Sequence, residues 1–513
     1  MPDDLLQKPF NTLDGLVRGL AAEQPLVTAL ICDDQRMTYA ELDRLMDRVA
    51  ASLQRDRITQ GESIAICAGN SIFHAAIFLG AARAGVVTAL LPPLLTPDSL
   101  LKMLEDCAAR ALFLDPAAAA TLAPVRGRIA APAILIDGPP SASAFEAWLV
   151  PEGTRPKPAH VLPRSPLNII YSSGTTGAPK GVVQPAVMRW LHAQQGRIFD
   201  GPALMLISTP LYTTGASTIL LMTLGSGGTA VLMRRFEAHA FLELAQAVRA
   251  THAALTPVQY RRILAAPEFD RFDLSSFKMT YSMAAPSSAG LKAEILRRWP
   301  GGLTEIYGAT EGGACVLRAD LRPDKLHTVG RPGPHTELRV IDDAGVELPV
   351  GDVGEIVAHT AAIMTGYHNH PELTAEAEWR DAAGRRYFRT GDIGRLDDEG
   401  FLTLLDRKKD MIISGGFKVY PSDLEEVLRG HDAVLDAAVV AAPSERWGET
   451  PLAFVVLRSP AAETAGALLA WANARLGKTQ RLSEVRLVED LPRNPLGKVL
   501  KRELRQRLGQ EPV

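Results

Sequence analysis

Short apolar runs alternate with amphipathic helical segments through the first third of the chain, and this alternation constrains the fold more than any other feature. Residues 38–55 carry apolar side chains at helical spacing, with Thr38 placed to cap the helix and Glu41 three residues on to complete a capping box. Residues 63–67 read as a short strand, 71–84 as a helix, 86–91 as a strand ended by Pro92-Pro93, 97–107 as a helix and 111–115 as a strand. Crossover helices of this length join parallel strands, so the pattern predicts an α/β domain with a largely parallel sheet. The proline-rich, polar stretch 151–166 reads as a connector.

The texture changes after residue 330. Short runs at 337–342, 354–357 and 401–405, separated by Gly and Asp turns, predict a smaller antiparallel, barrel-like β region. Beyond Asp406 a fresh alternation begins: helix 421–429, strands 435–441 and 452–457, helix 464–476 and strand 485–488. About a hundred residues with their own pattern suffice for a separate α+β domain. The fold class expected is α/β: a large N-terminal domain of parallel-type αβ subdomains plus the small β region (1–405), followed by a mobile C-terminal α+β domain (406–513).

Of the 513 residues, 47% are hydrophobic and 22% charged, with a formal net charge of −3. This balance excludes disordered and collagen-like chains and offers no global electrostatic case for nucleic acid. The four cysteines (Cys32, Cys67, Cys107, Cys315) form no CxxC pair, which predicts a reducing compartment and no zinc framework. Residues 201–233 contain no charge, a length that could span a bilayer. Pro210, Gly215, Gly225, Gly227 and Gly228 break that stretch, so it reads instead as strand, loop, buried helix, turn and strand. The acidic N-terminal segment lacks the basic start of a signal peptide, and a cytoplasmic protein is expected.

The segment most informative about chemistry is LNIIYSSGTTGAPKGVV, residues 167–183. An apolar strand runs into Ser173, Gly174, Thr175, Thr176 and Gly177, and then into Lys180. Consecutive small residues expose backbone N–H groups, the hydroxyls add donors and the lysine adds charge, which together make a phosphate cradle. It is not a Walker A loop, because Gly181 stands where Ser or Thr would follow the lysine. A plain Ser/Gly-rich turn after a strand has the same composition.

Four further segments accompany it in order. They are Tyr307-Gly308-Ala309-Thr310-Glu311, Thr390-Gly391-Asp392, Asp406-Arg407-Lys408-Lys409-Asp410 followed by Ser414-Gly415-Gly416, and Asn494-Pro495-Leu496-Gly497-Lys498. Together the five resemble the motif set of the adenylate-forming superfamily, which includes acyl-CoA synthetases, peptide adenylation domains and firefly luciferase. The resemblance implies that a carboxylate attacks the α-phosphorus of ATP, releasing pyrophosphate and giving an acyl-adenylate. It assigns Ser173, Gly174, Thr175, Thr176, Gly177 and Lys180 to the phosphates, Thr310 to the α-phosphate, Glu311 to Mg²⁺ and Asp392 to the ribose hydroxyls. Arg407 and Tyr307 join the nucleotide site by the same resemblance. Lys498 is implied as the catalytic cation, and Lys409 as the hinge about which the small domain turns for the second step.

For that step the resemblance points to coenzyme A as acceptor. Gly415 and Gly416 would pass the pantetheine, Trp447 would stack on the nucleotide and Arg481 would meet a phosphate. The candidates for the acyl pocket are Tyr212, Met283, Ala284, Gly308, Ala309, Gly312 and Gly313, all apolar or small apart from the tyrosine hydroxyl. They suit an aromatic, alicyclic or medium-chain monocarboxylic acid, whereas a dicarboxylate would need a buried cation, for which Arg189 is the nearest candidate. Thr213 follows the Pro-Leu-Tyr segment where relatives carry His, and Met283 and Ala284 replace two glycines of the family pattern, so the pocket departs from its relatives while the nucleotide motifs do not. His368-Asn369-His370 reads as structural, since a zinc site needs three or four protein ligands.

The expected activity is therefore that of an ATP-dependent carboxylic acid–CoA ligase. The alternatives are an acyl-AMP ligase loading a separate carrier protein and a non-catalytic nucleotide or acyl sensor. Expected cofactors are ATP, Mg²⁺ and coenzyme A. Expected partners are small molecules, with neither nucleic acid nor a membrane span, and a homodimer is the assembly considered.

Overall fold

The computed structural model describes residues 6–136, 144–172, 180–459, 463–494 and 497–509. The chain divides into two compact units, one of residues 1–326, 332–337 and 359–388, the other of residues 327–331, 338–358 and 389–513.

The first unit is α/β. One sheet runs, in spatial order, Gly312–Arg318, Gly302–Ala309, Met279–Met283, His252–Leu255, Leu204–Ile207, Thr229–Leu232, Thr28–Cys32 and Gln35–Thr38. The successive pairings from 302–309 to 28–32 are parallel, and those of 302–309 with 312–318 and of 28–32 with 35–38 are antiparallel. The other sheet runs Gly366–Tyr367, Lys180–Pro185, Pro166–Ser172, Val87–Leu91, Ser63–Cys67, Leu112–Leu114 and Ala133–Leu135. It too is parallel inside, with the strands at 180–185 and 366–367 running antiparallel. The alternating pattern is thus realised as two parallel sheets. The Tyr39–Arg55 helix starts on Thr38 with both halves of the capping box formed.

The charge-free stretch folds as expected into the Leu204–Ile207 strand, the Thr214–Gly225 helix and the Thr229–Leu232 strand. Its helix is buried on nearly every side, which is why it needs no polar face. Among the described residues no helix is long and apolar enough to cross a membrane. All four cysteines are buried and unbridged, and burial pushes the Cys107 thiol up to about 12, so it carries no thiolate near neutral pH.

The second unit combines two β regions. The Arg386–Leu396 strand enters it at residue 389 and pairs antiparallel with Leu402–Arg407. The other is a sheet ordered Phe417–Val419, Ile412–Ser414, Gly448–Leu457 and Val434–Ser444, with Glu484–Leu487 parallel to the 448–457 strand. The Pro421–Arg429 and Ala465–Asn473 helices supply Leu424, Leu428, Leu468 and Ala472 to one apolar cluster with Val439, Ala453 and Val485. This is the α+β arrangement expected of the C-terminal hundred residues.

One buried ion pair anchors the strand that leads to the candidate site. Lys292, on the Ala289–Arg298 helix, meets Glu305 on the Gly302–Ala309 strand, and both side chains are almost wholly inaccessible. Lys292 also donates to the Leu326 carbonyl at 2.9 Å, and Glu305 accepts from the Ser287 backbone N–H at 3.2 Å. Burial pushes the Glu305 carboxyl up, against the opposing charge of Lys292. Lys292→Met is expected to cost about 3–5 kcal/mol by stranding a buried carboxylate, and Lys292→Met/Glu305→Leu to recover most of it, because losing both charges also removes their desolvation penalty. Denaturant unfolding of the two variants checks this, and a double variant no more stable than the single one would contradict it.

Candidate active site

In the first unit the chemistry gathers on a turn. Thr310 and Glu311 are the two residues between the antiparallel strands Gly302–Ala309 and Gly312–Arg318, so they form the tip of a tight hairpin. Gly312 follows at φ +131°, and a Cβ there would lie 2.6 Å from the Ala362 carbonyl oxygen. Only glycine fits that approach. The Met364 backbone N–H donates to the Glu311 carbonyl at 2.8 Å, and the Tyr367 hydroxyl donates to Glu311 Oε1 at 2.8 Å. Lys180 Nζ lies 5.1 Å from the centre of the Tyr367 ring, within cation–π reach. Lys180 and Tyr367, on neighbouring strands of one sheet, and Glu311 and Thr310, on the turn from the other, therefore form one connected group.

Among the described residues the Glu311 carboxylate receives one hydrogen bond, which leaves an oxygen suited to a hard divalent cation such as Mg²⁺. The sequence-assigned phosphate residues Ser173, Gly174, Thr175, Thr176 and Gly177 lie outside the described residues. Tyr307 is half-buried on the strand ahead of the turn, with Gly308 exposed beside it and Ala309 half-buried.

Two of the acyl-pocket candidates, Tyr212 and Met283, are buried in one apolar cluster with Leu211, Ala216 and Tyr281. A Cβ on Gly215 would meet Met283 Sδ at 3.0 Å, so Met283 packs against the first turn of the Thr214–Gly225 helix. Ala284 is exposed and sits at φ +71°. It keeps a left-handed backbone that favours glycine, at a cost of about 1–2 kcal/mol for a side chain there. Gly313 has φ +76°. Arg189, the cation considered for a dicarboxylate, is fully buried.

In the second unit Asp392 and Arg407 are register partners on adjacent strands, and Arg407 Nε lies 2.6 Å from Asp392 Oδ1. The Thr390 hydroxyl accepts from the Asp392 N–H at 3.0 Å and donates to the Ile356 carbonyl at 2.8 Å, which fixes the bend at Gly391. Lys498 sits in a turn closed by Asn494, whose Oδ1 accepts from the Lys498 N–H at 2.9 Å. Although Lys498 retains exposed surface, desolvation and then the charge of Arg407 pull its ammonium down to about 8, with Asp392 opposing. Lys409, on the turn after the Leu402–Arg407 strand, is likewise pulled down by desolvation. Asp392, Arg407, Lys409 and Lys498 thus share one electrostatic neighbourhood.

The Gly415 N–H donates to the Trp447 carbonyl at 2.8 Å. A Cβ on Gly415, which has φ +57°, would meet the Trp447 ring at 2.7 Å, whereas Gly416 opens onto free space. Trp447 is half-exposed, and the Arg446 guanidinium stands 4.6 Å from its ring centre. Arg481 is exposed just ahead of the Glu484–Leu487 strand and makes no hydrogen bond or ion pair among the described residues.

With this geometry in hand, comparison with known proteins decides the family. The AMP-binding enzyme family matches residues 18–368, and the AMP-binding enzyme C-terminal domain matches residues 423–498. The chain belongs to the adenylate-forming AMP-binding enzymes. It is 32% identical to the fatty acid–[acyl-carrier-protein] ligase ScoC of Streptomyces coeruleorubidus, over 98% of each chain. It is also 32% identical to the indoleacetate–CoA ligase of Aromatoleum aromaticum, over 96% of this chain and 97% of that one. Among solved structures it is similar to the amide bond synthetase McbA from Marinactinospora thermotolerans, with a TM-score of 0.87 and 29% identity over 97% of this chain and 99% of that one.

Within this AMP-binding enzyme the structure adds residues that motif reading passed over. Tyr367, which orients Glu311, stands next to His368-Asn369-His370, a stretch that the sequence reads only as structural. No sequence spacing pairs it with a residue 56 positions away. A cavity of about 300 Å³ in the second unit is lined by Lys409, Asp410, Met411, Gly448, Glu449 and Arg505 among others. It joins the hinge candidate to the start of the strand that follows Trp447. Its charged lining was not legible locally, because Arg505 reaches Asp410 across 95 residues. Among the described residues no cluster of three or more His, Cys, Asp or Glu side chains is placed to hold a metal, and His370 instead contacts Glu372 at 3.2 Å.

A lysine pulled down to about 8 is expected to react with amine-directed reagents with a midpoint near pH 8, against about 10 for an ordinary lysine. Peptide mapping after labelling across pH 6–11 reads Lys498 directly, and a midpoint near 10 would contradict the geometry.

Proposed function

We propose that the protein is an ATP-dependent, AMP-forming carboxylic acid–CoA ligase. The observation that carries this reading is that one chain of this family has both an ordered Thr310–Glu311 hairpin in its first unit and an ordered Asp392–Arg407–Lys498 group in its second. Adenylation brings an anionic carboxylate to a polyanion, so its barrier is electrostatic and falls when cations and N–H donors surround the transferring phosphate. Lys180 and Lys498 supply that charge in this reading, Thr310 contacts the α-phosphate, and Asp392, oriented by Arg407, accepts from the ribose hydroxyls. Mg²⁺ held by Glu311 supplies charge neutralisation to the phosphates. A Lys498 poised near 8 remains mostly protonated at neutral pH yet is less strongly solvated than a free lysine, which favours a close contact with developing negative charge.

In this reading residues 1–405 are the adenylation domain and 406–513 the domain that turns at Lys409 to present the Gly415–Gly416 loop. The flush packing of Gly415 on Trp447, with Gly416 open beside it, supports a narrow pantetheine chain and a stacked base, hence coenzyme A as acceptor. The apolar cluster around Tyr212 and Met283 supports an aromatic, alicyclic or medium-chain monocarboxylic acid. The likeness to a carrier-protein ligase over 98% of the chain favours a second reading, an acyl-AMP ligase that loads a carrier protein.

The test follows AMP and thioester together, with ATP, Mg²⁺, coenzyme A and a panel of aromatic, alicyclic, short- and medium-chain acids. The ligase reading expects both products from one acid class. AMP without thioester would move the assignment to carrier loading, and no acid-dependent AMP from folded protein would reject the enzyme. Lys498→Ala is expected to lower acid-dependent AMP formation by about 100-fold or more. It should leave thioester formation from a supplied acyl-adenylate within about fivefold, because in this reading Lys498 acts on the transferring phosphate alone.

A further inference from the structure

Behind the Thr310–Glu311 turn lies a buried polar network that the mechanism above does not use. Arg189, on the Ala186–Gln194 helix, is fully inaccessible, and among the described residues no carboxylate lies within ion-pair distance of it. Its Nε donates to Asn168 Oδ1 at 2.8 Å, and its Nη2 donates to Gln184 Oε1 in a very short contact. Its Nη1 reaches Thr218 Oγ1 and His192 Nδ1, each at 3.5 Å. Burial and then the charge of Arg189 push His192 down to about 3, so that ring is neutral. A guanidinium does not give up its proton in proteins, and this charge is therefore met by neutral acceptors alone.

Gln184 is the residue on which the network converges. Its Oε1 is taken twice, by Arg189 and by Asn168 Nδ2 at 2.9 Å. Two donors on the oxygen leave one orientation of the amide, with the NH₂ group facing the other way. In that orientation Nε2 donates to the Thr310 carbonyl at 2.7 Å and to Thr214 Oγ1 at 3.3 Å. The first contact reaches the catalytic turn and the second the opening turn of the helix beside the acyl-pocket candidates. A flipped amide would set an oxygen against the Thr310 carbonyl, which is repulsive.

We propose that Arg189 is a positioning residue for adenylation: by fixing the orientation of the Gln184 amide it holds the Thr310 carbonyl, and with it the Thr310–Glu311 turn, in register with the Lys180–Pro185 strand. The proposal also assigns the buried cation a role other than substrate charge recognition, since Arg189 is inaccessible and its nitrogens face protein acceptors. Its kinetic part rests on the adenylation chemistry proposed above, and its structural part does not.

Two variants test it. Gln184→Glu keeps two oxygens for Arg189 and Asn168, and gives Arg189 a counter-charge, but has no N–H for Thr310. Arg189→Met/Gln184→Met removes the charge and its acceptor together and guards against a misfolded single variant. Hydrogen exchange on ATP-bound protein needs no acid substrate. In whichever variant folds, amides of residues 304–316 are expected to exchange at least about tenfold faster than in wild type, while those of the distant 63–67 strand are unchanged. With the best acid from the panel, kcat for adenylation is expected to fall about 30–100-fold, with KM for ATP within about threefold, because a misplaced turn costs transition-state alignment more than ground-state binding. A folded variant whose turn exchanges within about twofold of wild type overturns the proposal whatever the acid panel shows, and an unchanged kcat in a folded variant overturns it equally. If wild type turns over no acid, the ligase reading fails, and the exchange measurement still decides the role of Arg189.

Discussion

Two residues at the tip of a hairpin cannot hold themselves still. Thr310 and Glu311 have no regular backbone pairing of their own, so everything proposed for them depends on contacts from outside the strand pair. Those contacts come from the other sheet of the first unit: Gln184, on the 180–185 strand, takes the Thr310 carbonyl, and Tyr367, on the 366–367 strand, takes the Glu311 carboxylate. The turn is one of the points at which the two sheets are stitched together. Each sheet supplies what the other lacks, and that joint gathers Glu311, Tyr367 and Lys180 into one group.

The neighbouring features serve the same requirement. The Lys292–Glu305 pair locks the strand that delivers the turn to the helix behind it, and the close approach of Gly312 to the Ala362 carbonyl lets the returning strand leave it without a clash. The Asp392–Arg407 pair does comparable work in the second unit, where the carboxylate is oriented by a cation on the adjacent strand. Such arrangements are buried or half-buried, and in that setting charges exert strong directional effects on their neighbours. The downward pull on Lys498, whose own side chain keeps exposed surface, likewise arises from surrounding protein and a like charge rather than from any property of the lysine.

Pattern and structure agree most closely where local chemistry decides the outcome. The capping box at Thr38, the helix of residues 421–429 and the division of the charge-free stretch into strand, helix and strand follow from side-chain period and turn residues. Differences of up to four residues occur at ends such as the 448–457 strand, expected only from 452, because its first residues, Gly-Glu-Thr-Pro, carry no strand pattern and are held by pairing with the 434–444 strand. Pairing partners distant in sequence leave no local signature.

By itself the sequence determined the alternation that makes parallel sheets, the separate texture of the C-terminal hundred residues, and the five motif segments that mark an adenylate-forming enzyme. Each of these is written in residue type and short spacing. Tertiary structure alone decided that Tyr367 meets Glu311, that Gln184 meets Thr310, that Arg189 is a buried cation among neutral acceptors, and that Lys498 stands among Arg407, Lys409 and Asp392. These contacts join residues tens to more than a hundred positions apart, and their energies depend on burial and on the direction of single hydrogen bonds. Neither quantity exists until the chain has folded.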